Sequence, residues 1–407
     1  MNVLPSTKAG HEGYLVFLPQ IRLILYSTVG PSETKMRIFV ALSTLALLGL
    51  SACSSETPTA DETEPSVEAS TPEAEKKFVA ATDEFGAGLE GVTSVAFWSH
   101  PSIVFNSVIV AGHADGISLF NIEDGAPIDS ADGFNVIDLA VGYLGEGPQA
   151  VGYIAASTDD EANPVRFFQI NNSDRSLQLL STIFVAQSAS DANLCLGRAN
   201  KDDLILGRSR PQGTTVLPLK VSAAGVSSGG GFSSTTSSVD CAIDQSGKIF
   251  SINNDGDVVM VTKEETTIVA GGAVPAPSAV SVSVKSDETG SQQARLVILG
   301  SDDRAYLFSA EDGHALGAVG MRDTFDVVAL EAVTSLAVGY GNYGGIYRDG
   351  ALAFVDGNAS GAPIKLAPWS GVVRELDLPL GQSVNPRGQI ASLDDDESVI
   401  SIDLVQP

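Results

Sequence analysis

Residues 107–125 read SVIVAGHADGISLFNIEDG: a β-rich run, a tight polar turn, a second β-rich run and another polar turn. Asp-Gly pairs accept positive φ or make local side-chain hydrogen bonds, so they reverse the chain between two strands. The same grammar returns in VRFFQINNSDRSLQLL (165–180), GKIFSINNDGDVVMV (247–261) and RLVILGSDDRAYLFSAEDG (295–313). It returns again in GALAFVDGNASGAPIKLA (350–367) and GQIASLDDDESVISIDLV (388–405). No long stretch places apolar residues at the i, i+3, i+4, i+7 spacing of an amphipathic helix. Strand pairs recurring at intervals of roughly 40–60 residues are the mark of a propeller built from repeated sheets. One such sheet cannot cover its own faces, whereas a ring of them lets each cover its neighbours. The rival β-sandwich rarely needs so long a chain. The expectation is an all-β fold, a β-propeller.

Composition agrees. Glycine is abundant, at 41 residues, and aromatic residues make up only 6% of the chain. Small residues suit crowded inner strands, and the repeated Trp-Asp signature of the commonest propellers is missing. The low-complexity stretch SAAGVSSGGGFSSTTSS (222–238) reads as a flexible surface loop and not as a domain boundary.

Outward from the repeats, the N-terminal part has a different character. From Met36 the chain reads MRIFVALSTLALLGLSAC: one positive charge at Arg37, an apolar run from Ile38 to Leu50, then Ser51-Ala52-Cys53. That run has the length of a signal-peptide core and is short for a membrane span. Leu50-Ser-Ala-Cys53 resembles the bacterial lipobox, which makes Cys53 the expected site of lipid attachment. Ser54 in place of an aspartate favours, by the same resemblance, the outer membrane. Residues 1–35 fit no role ahead of such a signal, and their apolar stretch is broken by Pro19, Gln20 and Arg22. They read as a mis-called upstream start. The expected organisation is therefore signal peptide 36–52, disordered tether 53–77 rich in Ser, Thr, Pro, Glu and Ala, and one propeller over 78–407.

Of the 23 basic side chains 19 lie beyond residue 52, and of the 50 acidic ones 48 do, a balance of −29. Such a surface repels nucleic acid and anionic lipid headgroups. The expected partners are the membrane, through the lipid, and an envelope protein or small ligand; a monomer is expected. With Cys53 lipidated, Cys195 and Cys241 remain, either as one disulfide in an oxidising compartment or as two buried thiols.

Several segments then resemble, in order, the β-propeller phytases, calcium-dependent 3-phytase-like hydrolases of inositol hexakisphosphate with six blades. Thr93-Ser-Val-Ala-Phe-Trp-Ser-His-Pro101 is similar to the family's DDPAIWVHP, and residues 111–125 to its GTDKKGGLYVYDLDG. Tyr153–Asp159 resembles the strand ending in a Ser-Asn-Arg-like triplet. Asn193-Leu-Cys-Leu-Gly-Arg198 resembles GLCLYRS, and Val239-Asp-Cys-Ala-Ile-Asp-Gln245 resembles VEGCVADDE. Ala353-Phe-Val-Asp-Gly-Asn358, Lys365-Leu-Ala-Pro-Trp369 and Val384-Asn-Pro-Arg387 are similar to FVAQDGxN, KLVPW and VDPR. The resemblance spans most of 90–405. It implies six blades and a Cys195–Cys241 disulfide.

The family's chemistry needs acidic side chains that hold several Ca²⁺ ions by many oxygen ligands, and basic groups that grip phosphate. At the matched positions this chain has Thr93 and Ser94 for the first acids, Ala114 or Asp115 for a lysine, and Thr158 for an arginine. Val239 or Asp240 stands for the acid of VEG, Asn253-Asn254 for a Glu-rich turn, and Thr334 and Ser335 for a later acid. Asp356 and Asn358 survive as candidate residual calcium ligands, and Arg208 and Arg210 as candidate phosphate contacts. Two function classes follow: a catalytically degenerate propeller that binds or scaffolds an envelope partner, or a working calcium-dependent phosphomonoesterase. His100, His113 and His314 lack metal-site spacing, and no G-x-S-x-G elbow or P-loop is present. Carboxylates converging on the channel mouth discriminate the two classes: four or more favour the enzyme.

Overall fold

The computed structural model describes residues 76–388, except 161–163, 185–192, 264–265, 271–273, 326 and 329. The signal peptide, Cys53, nearly all of the tether and all but Gly388 of the last strand–turn–strand run (388–405) lie outside the described residues.

The quoted runs form the antiparallel pairs their turns require. Val108–His113 pairs with Gly116–Asn121 in register from Val108↔Asn121 to His113↔Gly116. Every residue of Val108–His113 is buried. A strand covered on both faces is apolar throughout and does not alternate.

Six sheets result. Blade 1 comprises Ser94–Trp98, Val108–His113, Gly116–Asn121 and Pro127–Asp132. Blade 2 comprises Val136–Leu144, Val151–Thr158, Val165–Ile170 and Leu177–Ile183. Blade 3 has Asn193–Arg198, Leu204–Arg210, Gly213–Ser222 and Gly225–Ser228. Blade 4 has Asp240–Ile243, Ile249–Ile252, Val258–Val261 and Thr266–Ala270. Blade 5 has Ala279–Ser286, Gln292–Leu299, Arg304–Ser309 and Ala315–Arg322. Blade 6 takes Val333–Gly339, Ala351–Asp356 and Ile364–Pro368, and its outermost strand is Asp83–Phe85, from the other end of the chain. That exchange closes the ring. It is fastened by Lys365, whose Nζ lies 2.5 Å from Glu84 Oε2.

The first strand of each blade packs against the first strand of the next, and that of blade 6 against that of blade 1. The apolar core is accordingly split into six clusters, one between each adjacent pair of blades. Trp98, Ile117 and Leu119 meet Ile154, Phe168 and Ile170 between blades 1 and 2. Between blades 3 and 4 the buried cluster shrinks to Cys195, Val216, Cys241, Ile249, Val259 and Val261. There Cys195 and Cys241 are joined, S–S 2.04 Å, as the family resemblance implied. Close packing of inner strands explains some of the glycines: a Cβ at Gly197 of blade 3 would fall 2.3 Å from Ile243 Cγ2 of blade 4. The architecture is a six-bladed β-propeller.

Lys77–Ala80 adds in parallel to the outside of blade 5. One expectation needs correction. Residues 222–238 are not simply a loop, since Gly225–Ser228 and Phe232–Ser233 both pair with Gly213–Ser222. The exposed edge of blade 3 offers unpaired backbone groups, and even a Gly/Ser-rich stretch can satisfy them. Finally, Trp369–Glu375 forms a short α-helix that buries Trp369, Val372 and Val373 against blades 5 and 6.

Candidate functional site

The six inner strands run parallel around a central channel, so their first residues share one end and their last residues the other. The channel encloses a cavity of about 190 Å³ lined by all six inner strands.

At the strand-start end, polar side chains bridge each blade to the next. Thr93 Oγ1 of the loop entering blade 1 donates to Val136 O of blade 2 at 2.9 Å. Asp138 Oδ2 of blade 2 accepts from Leu194 N of blade 3 at 2.6 Å. Asn193 Nδ2 donates to Val239 O, at the start of blade 4, at 2.8 Å. Asp240 Oδ2 accepts from Val280 N of blade 5 at 2.7 Å, and its Oδ1 from Cys241 N at 2.8 Å. Deeper in the channel, Ser281 Oγ accepts from Val338 N, near the finish of the inner strand of blade 6, at 3.0 Å. Burial pushes the Asp138 carboxyl up to about 7, with the Leu194 N–H pulling the other way. Asp240 is raised well above the usual carboxylate range, first by burial and then by the charge of Asp138. These two carboxyls face each other's field in a dry site, which disfavours two negative charges together.

Beside them, between blades 3 and 4, lies a set of buried hydroxyls. Ser209 and Thr214 are 3.4 Å apart, Thr214 donates to Ser251 at 3.3 Å, and Ser251 meets Ser238 at 2.5 Å. Arg208 and Arg210 sit at this same end, because Arg208 pairs with Leu194 in register. Both are buried, and Arg210 Nη2 donates to Thr215 Oγ1 at 3.1 Å. Burial, then the neighbouring charge of Arg210, pulls the Arg208 guanidinium down.

Asp356 also lies at the strand-start end, on the second strand of blade 6. Its Oδ1 accepts from Ala332 N at 3.2 Å and Asn358 N at 3.1 Å, and its Oδ2 accepts from Glu331 N at 3.1 Å. The carboxylate thus anchors two loops, while Asn358 is exposed on the turn. Three of the carboxylate's acceptor positions are thus taken up by backbone N–H groups. Asp138 and Asp240 likewise accept backbone N–H donors, from Leu194, Val280 and Cys241. Among the described residues no group of three or more His, Cys, Asp or Glu is placed to hold a metal. Asp244, a third carboxylate lining the channel, is taken up by its own turn through Ser246 N and Lys248 N, each at 2.9 Å.

The strand-finish end is built differently. Here Val384–Gly388 crosses the mouth. Arg387 is fully buried, with Nε donating to Ser99 O at 2.6 Å, Nη2 to Asn172 Oδ1 at 3.2 Å, and Nη1 to Ala150 O. Its guanidinium stands 4.8 Å from the Trp98 ring centre and 5.0 Å from that of Tyr143, a cation–π pair on two sides. Gln245 Nε2 reaches Asn385 O at 2.8 Å, and Gly147 N reaches Arg387 O at 3.2 Å. The segment touches blades 1, 2 and 4 at once.

With this geometry in view, comparison with known proteins adds little at the level of residues. No family model matches the sequence, and no curated protein matches it. Among solved structures, the WD40 repeats of RRP9 align over 72% of this chain and 99% of that one, at 11% identity and a TM-score of 0.46. BBS1N in complex with ARL6DN, in a lead-soaked crystal, aligns over 68% of this chain and 79% of that one, at 10% identity and a TM-score of 0.43.

Sequence reasoning passed over Asp138 and left Arg387 as a matched tail residue without a role. The signal for Asp138 was a single acid inside the apolar strand VIDLAVGYL. For Arg387 the local sequence offers none, because its partners lie up to 288 residues away.

Proposed function

We propose that this chain is a lipid-anchored envelope protein whose propeller serves as a binding module and not as a phosphomonoesterase. One observation carries the reading. The carboxylates at the strand-start mouth, Asp138 and Asp240, are spent on backbone N–H groups of the next blade, and burial favours their neutral forms. The surrounding walls are hydroxyl, amide and aliphatic groups. Such a mouth can hydrogen-bond a neutral polar ligand or a loop of a partner protein. The overall negative charge favours partners that are neutral or basic.

The anchoring half of the proposal rests on the sequence from Met36 to Cys53. Radiolabelled palmitate supplied to expressing cells should enter the wild-type chain and not Cys53→Ser. Equal labelling of both would remove the lipid anchor from the proposal.

The enzymatic half is tested by phosphate release from phytate with the purified chain, in calcium and in EDTA. The expected result is no calcium-dependent release. A second reading, a calcium-dependent phosphomonoesterase, is favoured by one fact: Arg208 and Arg210 share the strand-start end with the two carboxylates. Turnover that is calcium-dependent and lost in Arg208→Gln would establish that reading instead.

A further inference from the structure

We propose that the strand-finish face of the propeller rests on a lipid surface, with Ile103, Phe105 and Ile346 entering the boundary between headgroups and acyl chains. This inference rests on the lipid-anchored reading above and adds which face meets the membrane.

The three side chains form one patch. Ile103 and Phe105 stand between the first two strands of blade 1, and Ile346 stands between the first two strands of blade 6. They are 50%, 44% and 55% exposed. The two loops touch: the Phe105 ring lies against Gly344, where a Cβ would fall 2.4 Å from Phe105 Cδ1. Beneath them Phe97, Tyr343 and Tyr347 fill the interface of blades 6 and 1, and none of the exposed three belongs to that buried cluster. Clustered apolar side chains left in water mark a surface that meets a protein or a membrane.

Backbone that enters lipid must satisfy its own polar groups, and these loops do so. Ser102 N and Ile103 N donate to His100 Nδ1 at 3.2 and 3.0 Å, and Asn106 N donates to Ile103 O at 2.9 Å. Gly344 N donates to Asn342 Oδ1 at 2.9 Å, and Tyr347 N donates to Gly344 O at 2.9 Å. Two 3₁₀ turns, Val104–Asn106 and Gly345–Tyr347, thus present the apolar side chains on tightly bonded backbone.

Chain direction and charge select a membrane. Lys77–Ala80 runs parallel to Ala315–Arg322, which passes from the finish side to the start side. The chain ahead of Lys77, which leads back to Cys53, therefore leaves towards the finish face. The span from Cys53 to Lys77 cannot exceed roughly 85 Å even when fully extended, which keeps the lipid near the patch. Beside Ile346, the Arg348 side chain is 77% exposed, 3.5 Å from Asp349, and offers a guanidinium to phosphate headgroups. The opposite face carries Asp115, Asp159, Asp160, Asp255, Asp302 and Asp303 on its turns, a field that lipid phosphate repels. Glu123 and Asp124, on the outer turn of blade 1 at the finish side, make neutral lipid a better surface than anionic lipid.

The test uses residues 54–407, which include every described residue and lack both the apolar N-terminal run and Cys53. This chain should sediment with neutral phosphatidylcholine vesicles at low and high salt alike, since apolar contact is not screened. Replacing the patch by Ile103→Ser, Phe105→Ser and Ile346→Ser together should weaken vesicle binding by roughly tenfold, with the melting temperature kept because all three side chains are exposed. Phe325, exposed on the start side, is the control, and Phe325→Ser should bind as the unaltered chain does. Phe105→Trp fluorescence should be quenched by brominated lipid, and that of Phe325→Trp should not. The proposal is overturned if the chain does not bind vesicles, if the folded triple variant binds them unchanged, or if Phe325→Trp is quenched as strongly as Phe105→Trp. None of these outcomes depends on lipid attachment, which palmitate labelling reports separately.

Discussion

At the strand-start end of the channel the bridging polar groups belong to the blades themselves, each reaching to the next: Thr93 to Val136, Asp138 to Leu194, Asn193 to Val239, Asp240 to Val280. At the strand-finish end the blades do not satisfy one another. Their carbonyls at Ser99 and Ala150 are met by Arg387, which arrives from the far end of the described chain. One end is thus a series of nearest-neighbour contacts; the other is a single long-range plug.

The largest effect expected from this contrast is at the plug. Arg387→Ala should cost roughly 3–5 kcal/mol, because it removes a cation from between Trp98 and Tyr143 and leaves several buried acceptors unmet. Urea unfolding measures it, and a loss below about 1 kcal/mol would break the claim that the finish end depends on this segment.

Next comes the thinnest blade interface. Reducing Cys195–Cys241, or replacing both by serine, should cost about 2–4 kcal/mol, because the bridge closes a separation of 46 residues where the apolar cluster is smallest. Thermal melts with and without dithiothreitol give the value.

A smaller and more discriminating comparison is Asp240→Ala against Asp240→Asn. Alanine leaves Val280 N without its acceptor and should cost roughly 1–3 kcal/mol. Asparagine keeps an acceptor oxygen for Val280 N and, like the neutral acid, carries no charge, so its cost should be below about 1 kcal/mol at neutral pH. Equal losses in the two variants would show that the Val280 hydrogen bond is not what the fold needs from this side chain.

The pH profile sharpens the same point. Asp138 in the folded chain is raised to about 7, above its unfolded value, so between those limits the folded state holds the extra proton. Its contribution is fully present below the unfolded pKa and is lost as pH rises toward and through about 7. Asp138→Asn should flatten that decline in stability, seen as melting temperature across the interval. The smallest effect concerns calcium. Millimolar Ca²⁺ should move the midpoint by less than about 1 °C, since a ligand stabilises only the state that binds it. A rise of several degrees would mean that the start-end carboxylates do form a calcium site.

The strand pairs were legible because their cause is local: Val108–His113 and Gly116–Asn121 meet across a turn whose residues are adjacent in the chain. The role of Asp138 was not legible, because it lies in an N–H of Leu194 on another blade. Residues 222–238 were misread for a related reason. Their composition gives no strand preference, and their pairing follows from the free edge of Gly213–Ser222. Gly207 carried a hidden signal. A Cβ there would fall 2.3 Å from Cys195 Sγ, so only glycine leaves room for the bridge.

By itself the sequence determined the repeating strand–turn–strand units and hence the need for a ring, since no unit can bury its own faces. It also set the acidity and the near-absence of helix. Tertiary structure alone decided which buried polar groups meet. The hydrogen bonds of Asp138, Asp240 and Arg387 depend on where another blade places a carbonyl or an N–H. That placement is a property of the closed ring and of no single stretch of chain.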